Sequence, residues 1–172
     1  MIAGRESLPE SGIWHVVPLG SADIPEAVAL FHTTVHAVNA RDYSPAQLDA
    51  WTPADDEHRR RLAKKLESQL LFGVRENGVL VGFGSLDCKK KRGGELDMLY
   101  VSEIRQGLGI ACALAAELEQ EACTRGWRAI RTYASLTARP LFESRGYSVV
   151  REIIAVRRGV ELKNFLMEKP LS

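Results

Sequence analysis

Apolar positions in this chain change period along its length, and the changes outline its elements. Ile24, Val28, Phe31, Val35 and Val38 recur at alternating spacings of four and three, which predicts an amphipathic helix with Ser21 as its cap. A short strand at residues 13–18 precedes it. Ser44-Pro45-Ala46-Gln47 places a capping serine, a proline at the first helical position and a glutamine at the third. That pattern starts a short helix running through Leu48 to Trp51. Thr52-Pro53-Ala54-Asp55 predicts another start of the same kind, with Leu62, Leu66 and Leu70 on one face. Strands follow at 70–75 and 79–86, separated by Asn77-Gly78, a strong hairpin signal. A strand at 95–101 leads into a helix at 108–124 that Gly126 stops. The chain continues with a strand at 127–133 and a helix at 137–145 closed by Gly146. It ends with a hairpin, 148–156 and 160–167, turning at Arg158-Gly159.

The richest stretch is the junction of the 95–101 strand with the long helix, where Gly107 and Gly109 flank Leu108. A glycine turn entering a helix exposes backbone N–H groups that have no partner inside the helix. With the positive end of the helix dipole they form an anion site. No Lys-Ser/Thr follows the second glycine, so this is not a Walker A loop, and the dinucleotide pattern G-x-G-x-x-G is absent. What stands there is Gln106-x-x-Gly109-x-Ala111.

Composition narrows the classes. The chain has 172 residues, 45% of them hydrophobic, and a net charge of +1. That is enough for one domain with a real core, expected at 13–172 behind a flexible polar segment at 1–12. The charge balance gives no reason to expect a nucleic-acid or membrane partner. Cys88, Cys112 and Cys123 have no framework spacing and read as reduced thiols of a cytoplasmic protein. Residues 1–12 lack the apolar stretch of a secretory signal. His32 and His36, four apart on a helix, could suggest a metal, but no third ligand is suitably spaced, so no metal site is expected. The basic run Lys89-Lys90-Lys91-Arg92 reads as a solvated loop that could also steer an anionic ligand.

Gln106-x-x-Gly109-x-Ala111 resembles the acetyl-coenzyme A signature of the GNAT superfamily of N-acetyltransferases. A second stretch, Ser135-Leu136-Thr137-Ala138-Arg139-Pro140-Leu141-Phe142-Glu143-Ser144-Arg145-Gly146-Tyr147, is similar to a later segment of the same family. The order of elements over residues 13–169 also resembles that family. The resemblance implies an α/β (α+β) fold: a mixed, mostly antiparallel, twisted sheet of about seven strands with four or five helices. Tyr43-Ser44, Gln47 and Ala50-Trp51 resemble a bacterial subgroup whose substrates are unassigned.

The family resemblance implies acetyl-CoA as co-substrate. Its pyrophosphate would lie on the amides of Gln106, Gly107, Leu108, Gly109, Ile110 and Ala111, and its pantetheine along Met98, Leu99, Tyr100 and Val101. Ser135, Ala138 and Phe142 of the second segment would flank the same ligand. The acceptor would be a primary amine, more naturally a small molecule than a protein, attacked directly in a ternary complex. Only about one such amine in a thousand is neutral at pH 7, so a base or a desolvating pocket is needed. Glu95 and Asp97 share one strand face and are candidate bases, with water and a purely structural role as alternatives. Phe142 replaces the tyrosine that usually protonates the leaving thiolate, which leaves Tyr147, Ser135 or Tyr133, or no acid at all. Tyr43 and Trp51 are candidates for the acceptor pocket, or for core packing. A catalytically weak acyl-CoA-binding module on the same fold is the alternative function, and the final hairpin leaves an edge through which a homodimer could form.

Overall fold

The computed structural model describes residues 13–89 and 94–172. The expected flexible segment at 1–12, and Lys90, Lys91 and Arg92 of the basic run, lie outside the described residues. The elements in chain order are β1 (Val16–Leu19), α1 (Ile24–Val38), α2 (Pro45–Trp51), α3 (Asp56–Leu66), β2 (Leu70–Glu76) and β3 (Val79–Asp87). They continue with β4 (Glu95–Val101), α4 (Ile110–Thr124), β5 (Ala129–Ser135), α5 (Arg139–Ser144), β6 (Ser148–Arg157) and β7 (Val160–Pro170). The seven strands form one sheet in the order β1-β2-β3-β4-β5-β7-β6. Every neighbouring pair is antiparallel except β4 and β5, which run parallel. No helix among the described residues is long and apolar enough to cross a membrane.

Each sheet face is covered. On one, Phe31 of α1, Leu66 of α3, Phe83 of β3 and Met98 of β4 share a core. On the other, α4 lays Leu114 and Leu118 against the sheet. Two glycines of β3 let α4 come close. A Cβ on Gly82 would meet Ile110 Cγ2 at 2.8 Å, and one on Gly84 would meet Leu118 Cδ1 at 2.6 Å. No real Cβ packs that tightly, so the helix sits on bare backbone.

Local signals explain most boundaries, and tertiary demands explain the rest. Ser44 and Gln47 form the reciprocal cap expected of α2: Ser44 N donates to Gln47 Oε1 at 2.9 Å, and Gln47 N donates to Ser44 Oγ at 3.3 Å. Helix α3, by contrast, starts at Asp56 instead of Pro53. Its cap is Asp55, whose carboxylate accepts from His58 N at 2.6 Å, while Thr52 is buried and bonded through Oγ1 to His36 Nε2 at 2.7 Å. Ser21 does not cap α1. It lies in a short 3-10 turn, Ser21–Asp23, and Asp23 instead accepts from Gly20 N at 2.8 Å. Strand β5 begins at Ala129 because Gly126 and Trp127 close α4: Gly126 has φ +73°, and Trp127 N donates to Ala122 O at 3.1 Å. Both hairpin turns use positive φ at two residues, Asn77 and Gly78 in one, Arg158 and Gly159 in the other. Arg158 is an unusual residue there, and its guanidinium is ion-paired with Asp55 at the start of α3.

The feature that shapes the site is a bulge in β4. Met98 lies opposite Ser85 and Leu96 opposite Leu86, so Asp97 is an extra residue on β4. The bulge shifts the side-chain phase: Leu96, Leu99 and Val101 pack toward α4, whereas Met98 and Tyr100 pack toward α1. Strands β4 and β5 pair only at Glu95 with Arg131 and Leu96 with Thr132. Beyond the bulge they part.

Candidate active site

The parting of β4 and β5 opens a cleft of about 430 Å³ that runs to the N-terminus of α4. Its mouth is the glycine turn. Ser102 N donates to Val81 O at 2.8 Å and ends the strand, and a 3-10 turn, Glu103–Arg105, follows. Gly107 and Gly109 then take φ of +75° and +83°, a conformation that side chains resist. A Cβ on either would meet nothing within 4 Å. Backbone conformation is therefore what requires glycine here, and the turn faces open space.

Three contacts hold the turn. Gln106 Nε2 donates to Val101 O at 2.6 Å, Trp14 Nε1 donates to Leu108 O at 2.6 Å, and Arg105 Nε donates to Glu76 at 2.6 Å. The first amide bonded within α4 is that of Ala113, on Gly109 O at 3.0 Å. The amides of Ile110, Ala111 and Cys112 ahead of it have no acceptor inside the helix, and they stand at its positive end. A turn held open in this way fits a phosphate-bearing ligand.

A second cavity, of about 320 Å³, lies on the other side of β4, between α3 and the β6–β7 hairpin. Trp51, Asp97, Tyr100 and Tyr133 line both cavities, so the two meet at the bulge. Tyr100 packs edge-on against Phe31 at 4.8 Å, and burial pushes its phenol well above the usual tyrosine range. Asp97 is held at the junction by Lys65 Nζ, 2.7 Å from Oδ2, and by Gln69 Nε2 at 2.8 Å.

Most residues expected at the site reach the first cleft: Leu99, Tyr100, Val101, Gln106, Gly107, Gly109, Ile110, Ala111, Ser135, Ala138 and Phe142 all line it. Met98 lines the second cavity, because the bulge turns it toward α1. Leu108 lines neither; its side chain is exposed and its carbonyl is bound by Trp14. Of the two candidate bases, Asp97 lies at the junction, whereas Glu95 is buried at the paired end of β4 and lines neither cavity. Tyr147 also lines neither. It is buried edge-on against Phe142 at 5.0 Å, and burial together with the Glu119 carboxylate pushes its phenol upward. Tyr133 and Ser135 are the hydroxyl-bearing alternatives that do reach the cleft.

The two aromatics expected near the acceptor have different places. Trp51 lines both cavities. Tyr43 is buried behind it at 5.3 Å, edge to face; its hydroxyl donates to Lys163 O at 2.8 Å and accepts from Leu136 N at 2.9 Å. Tyr43 therefore ties β7 to the segment after β5. His32 packs against His58 at 5.3 Å, and His36 bonds Thr52. Among the described residues no three His, Cys, Asp or Glu side chains are grouped to hold a metal ion.

Sequence reasoning missed the wall of the second cavity that comes from α3 and the last hairpin, namely Arg61, Lys65, Arg157 and Asn164. The available signal was in α3: Arg61 and Lys65 are four apart, beside the buried Leu62 and Leu66.

Comparison with known proteins points the same way as the geometry. Residues 39–169 match the model of the acetyltransferase (GNAT) domain. The chain is 29% identical over 145 residues to an uncharacterized N-acetyltransferase, YafP, of Escherichia coli (strain K12), covering 84% of this chain and 88% of that one. It superposes with a TM-score of 0.84 on a GCN5-related N-acetyltransferase from Rhodopseudomonas palustris, at 30% identity over 98% of this chain and 100% of that one. A more distant likeness, of fold alone, is to the acetyltransferase yncA of Salmonella typhimurium, solved with acetyl-CoA. There the TM-score is 0.69 and the identity 20%, over 93% of this chain and 95% of that one.

Proposed function

We propose, since the chain belongs to the GNAT family of acetyltransferases, that it moves the acetyl group of acetyl-CoA onto a primary amine of a small molecule, by direct attack. Membership makes it an acyltransferase; the acceptor and the route are the proposal. The observation that carries it is the meeting of two cavities at the β4 bulge. One ends at the open amides of α4, and the other approaches the same point from the opposite side of the sheet.

Acetyl-CoA supplies the acetyl group as a thioester; the amine nitrogen replaces its sulfur on the acetyl carbon, losing one proton while the sulfur gains one. The residues divide that work. The amides of Ile110, Ala111 and Cys112 hold phosphate at the mouth of the cleft, and Gly107 and Gly109 keep the approach clear. The edge of β4 beyond the bulge has lost β5 as a partner, so its peptide groups are left to pair with the amide-bearing arm of the ligand. Asp97 accepts an N–H of the amine and aims its lone pair through the junction, while the proton passes to solvent. Shared with Lys65 and Gln69, the carboxylate is fixed in place as an orienting acceptor. Phe142 has no proton to give, so Tyr133, which lines both cavities, is the hydroxyl assigned to the departing sulfur.

A second reading, an acyl-CoA-binding module without turnover, draws on Phe142 alone. Isothermal titration of acetyl-CoA, with Gly109→Glu as control, followed by an amine screen for CoA release, tests both. Binding lost in the control together with turnover of an amine supports the transferase. Binding without turnover of any amine leaves the module, and no binding to the native protein defeats both.

The proposal places the chain in the cytoplasm, consistent with Cys88, Cys112 and Cys123 being free thiols. It also includes pairing of two copies through β6, an edge strand that exposes Val150, Ile154 and Val156.

A further inference from the structure

We infer that the acceptor amine carries its own anionic group, a carboxylate or a phosphate, held by Arg157 and Arg61 on the wall of the second cavity. This rests on the acetyltransferase reading and narrows the substrate class of the same site.

Among the described residues the second cavity is lined by three cations, Arg61, Lys65 and Arg157, and by a single carboxylate, Asp97. That carboxylate is shared by Lys65 at 2.7 Å and Gln69 at 2.8 Å and is the one assigned to the reacting amine, so none remains for a second ammonium. The Arg157 side chain has no hydrogen-bonded or ionic partner among the described residues, and that of Arg61 has only the exposed Glu57 at 3.5 Å. Two arginines therefore line the cavity with donors to spare, and a guanidinium offers the fork that suits carboxylate and phosphate. Asn164 lines the same wall, and its side-chain amide can add a further N–H donor. His58 in the same wall is kept on the neutral side, first by burial and then by Arg61, Arg158 and Arg59, against the opposing pull of Asp55.

Such a wall disfavours a polyamine. Every extra ammonium would enter beside cations, with no free carboxylate to meet it. An amine with an anionic group enters as a neutral whole. Once its anion is bound, the neighbouring cations lower the pKa of its ammonium and favour the neutral nucleophile. A cavity of about 320 Å³ suits a molecule of amino-acid size.

The test uses the full chain with acetyl-CoA and reads CoA release against matched pairs. Each of the twenty standard amino acids is compared with its carboxamide, and phosphoethanolamine with ethanolamine; spermidine is run alongside. The expected result is kcat/KM at least tenfold higher for the anionic member of at least one pair. The pair that responds tells carboxylate from phosphate. Arg157→Ala should raise KM for that substrate at least tenfold, leave KM for its uncharged counterpart unchanged, and be partly rescued by Arg157→Lys. Equal or better turnover of the uncharged members or of spermidine, or no turnover of any anionic amine, overturns the inference. Titration of acetyl-CoA in parallel separates the two failures: if acetyl-CoA does not bind, the acetyltransferase reading itself has failed.

Discussion

Lys65 of α3 places its ammonium 2.7 Å from Oδ2 of Asp97, the residue inserted by the β4 bulge, at the point where the two cavities meet. The bulge directs the carboxylate into the passage, and Lys65 with Gln69 fixes its orientation. Asp97→Asn keeps the shape and removes the charge. It should lower kcat about 100-fold, the scale on which a misoriented reactant costs rate, with the Kd for acetyl-CoA unchanged. A kcat within threefold of the native value would remove Asp97 from the reaction.

Tyr43 acts at a distance from the chemistry. Its hydroxyl joins Lys163 O and Leu136 N, and Leu136 immediately follows the cleft residue Ser135. Tyr43→Phe leaves the Leu136 amide unpaired at a cost of about 2 kcal/mol, or a fall in Tm of roughly 4–8 °C for a chain of this size. Calorimetry checks the first effect. If Trp51 is placed by Tyr43 and does not itself depend on that hydroxyl, KM for the acceptor should rise less than twofold.

Gln106 is bonded inward, with Nε2 on Val101 O at 2.6 Å and Ser102 O at 3.4 Å. It thereby sets the angle between the end of β4 and the glycine turn. Gln106→Ala should weaken acetyl-CoA binding about tenfold by loosening a preformed cradle, and should lower stability by about 1 kcal/mol. An unchanged Kd in titration would show that the turn holds its form without that side chain.

The sequence is most informative where a structure is made by neighbours in the chain. Asn77-Gly78 and Ser44-Pro45-Ala46-Gln47 set their turn and cap from within a few residues, and both are found as expected. The glycine turn belongs to the same group, since Gly107 and Gly109 meet a local demand for positive φ. The β4 bulge is different. It exists because Ser85 pairs with Met98 and Leu86 with Leu96, a register set by β3. The only trace of it in the chain is that polar and apolar residues alternate through Glu95, Leu96 and Asp97 and then give way to an apolar run. That one extra residue decides that Met98 faces the second cavity. Arg61 and Lys65 share α3 and one helical spacing, but Arg157 comes from β6, far along the chain, so no spacing rule could have joined it to them. Tyr43 was legible as an aromatic beside the site, but its role depends on Lys163 and Leu136, about a hundred residues away in sequence.

His32 and His58 give the fold an acid-sensitive point. His32 is buried, and its Nε2 has no hydrogen-bond partner among the described residues. Burial first, then Arg59 and the neighbouring His58 and His36, bring its pKa down to about 4 from an ordinary 6.5, with Asp55 pulling the other way. A histidine held neutral in the folded state is protonated more readily when the chain unfolds. Its contribution to stability is therefore complete above pH 6.5 and is lost as the pH falls toward 4. His58, lowered in the same direction by burial, adds to the loss. Urea unfolding of the native protein should show stability level above pH 7 and falling through this window. His32→Leu removes the titrating group and the unpaired nitrogen together. It should match or exceed native stability at pH 7 and fall less steeply between pH 6 and pH 4.5. An equally steep fall in the variant would mean that the acid sensitivity arises elsewhere, with the His58 side chain the next to replace.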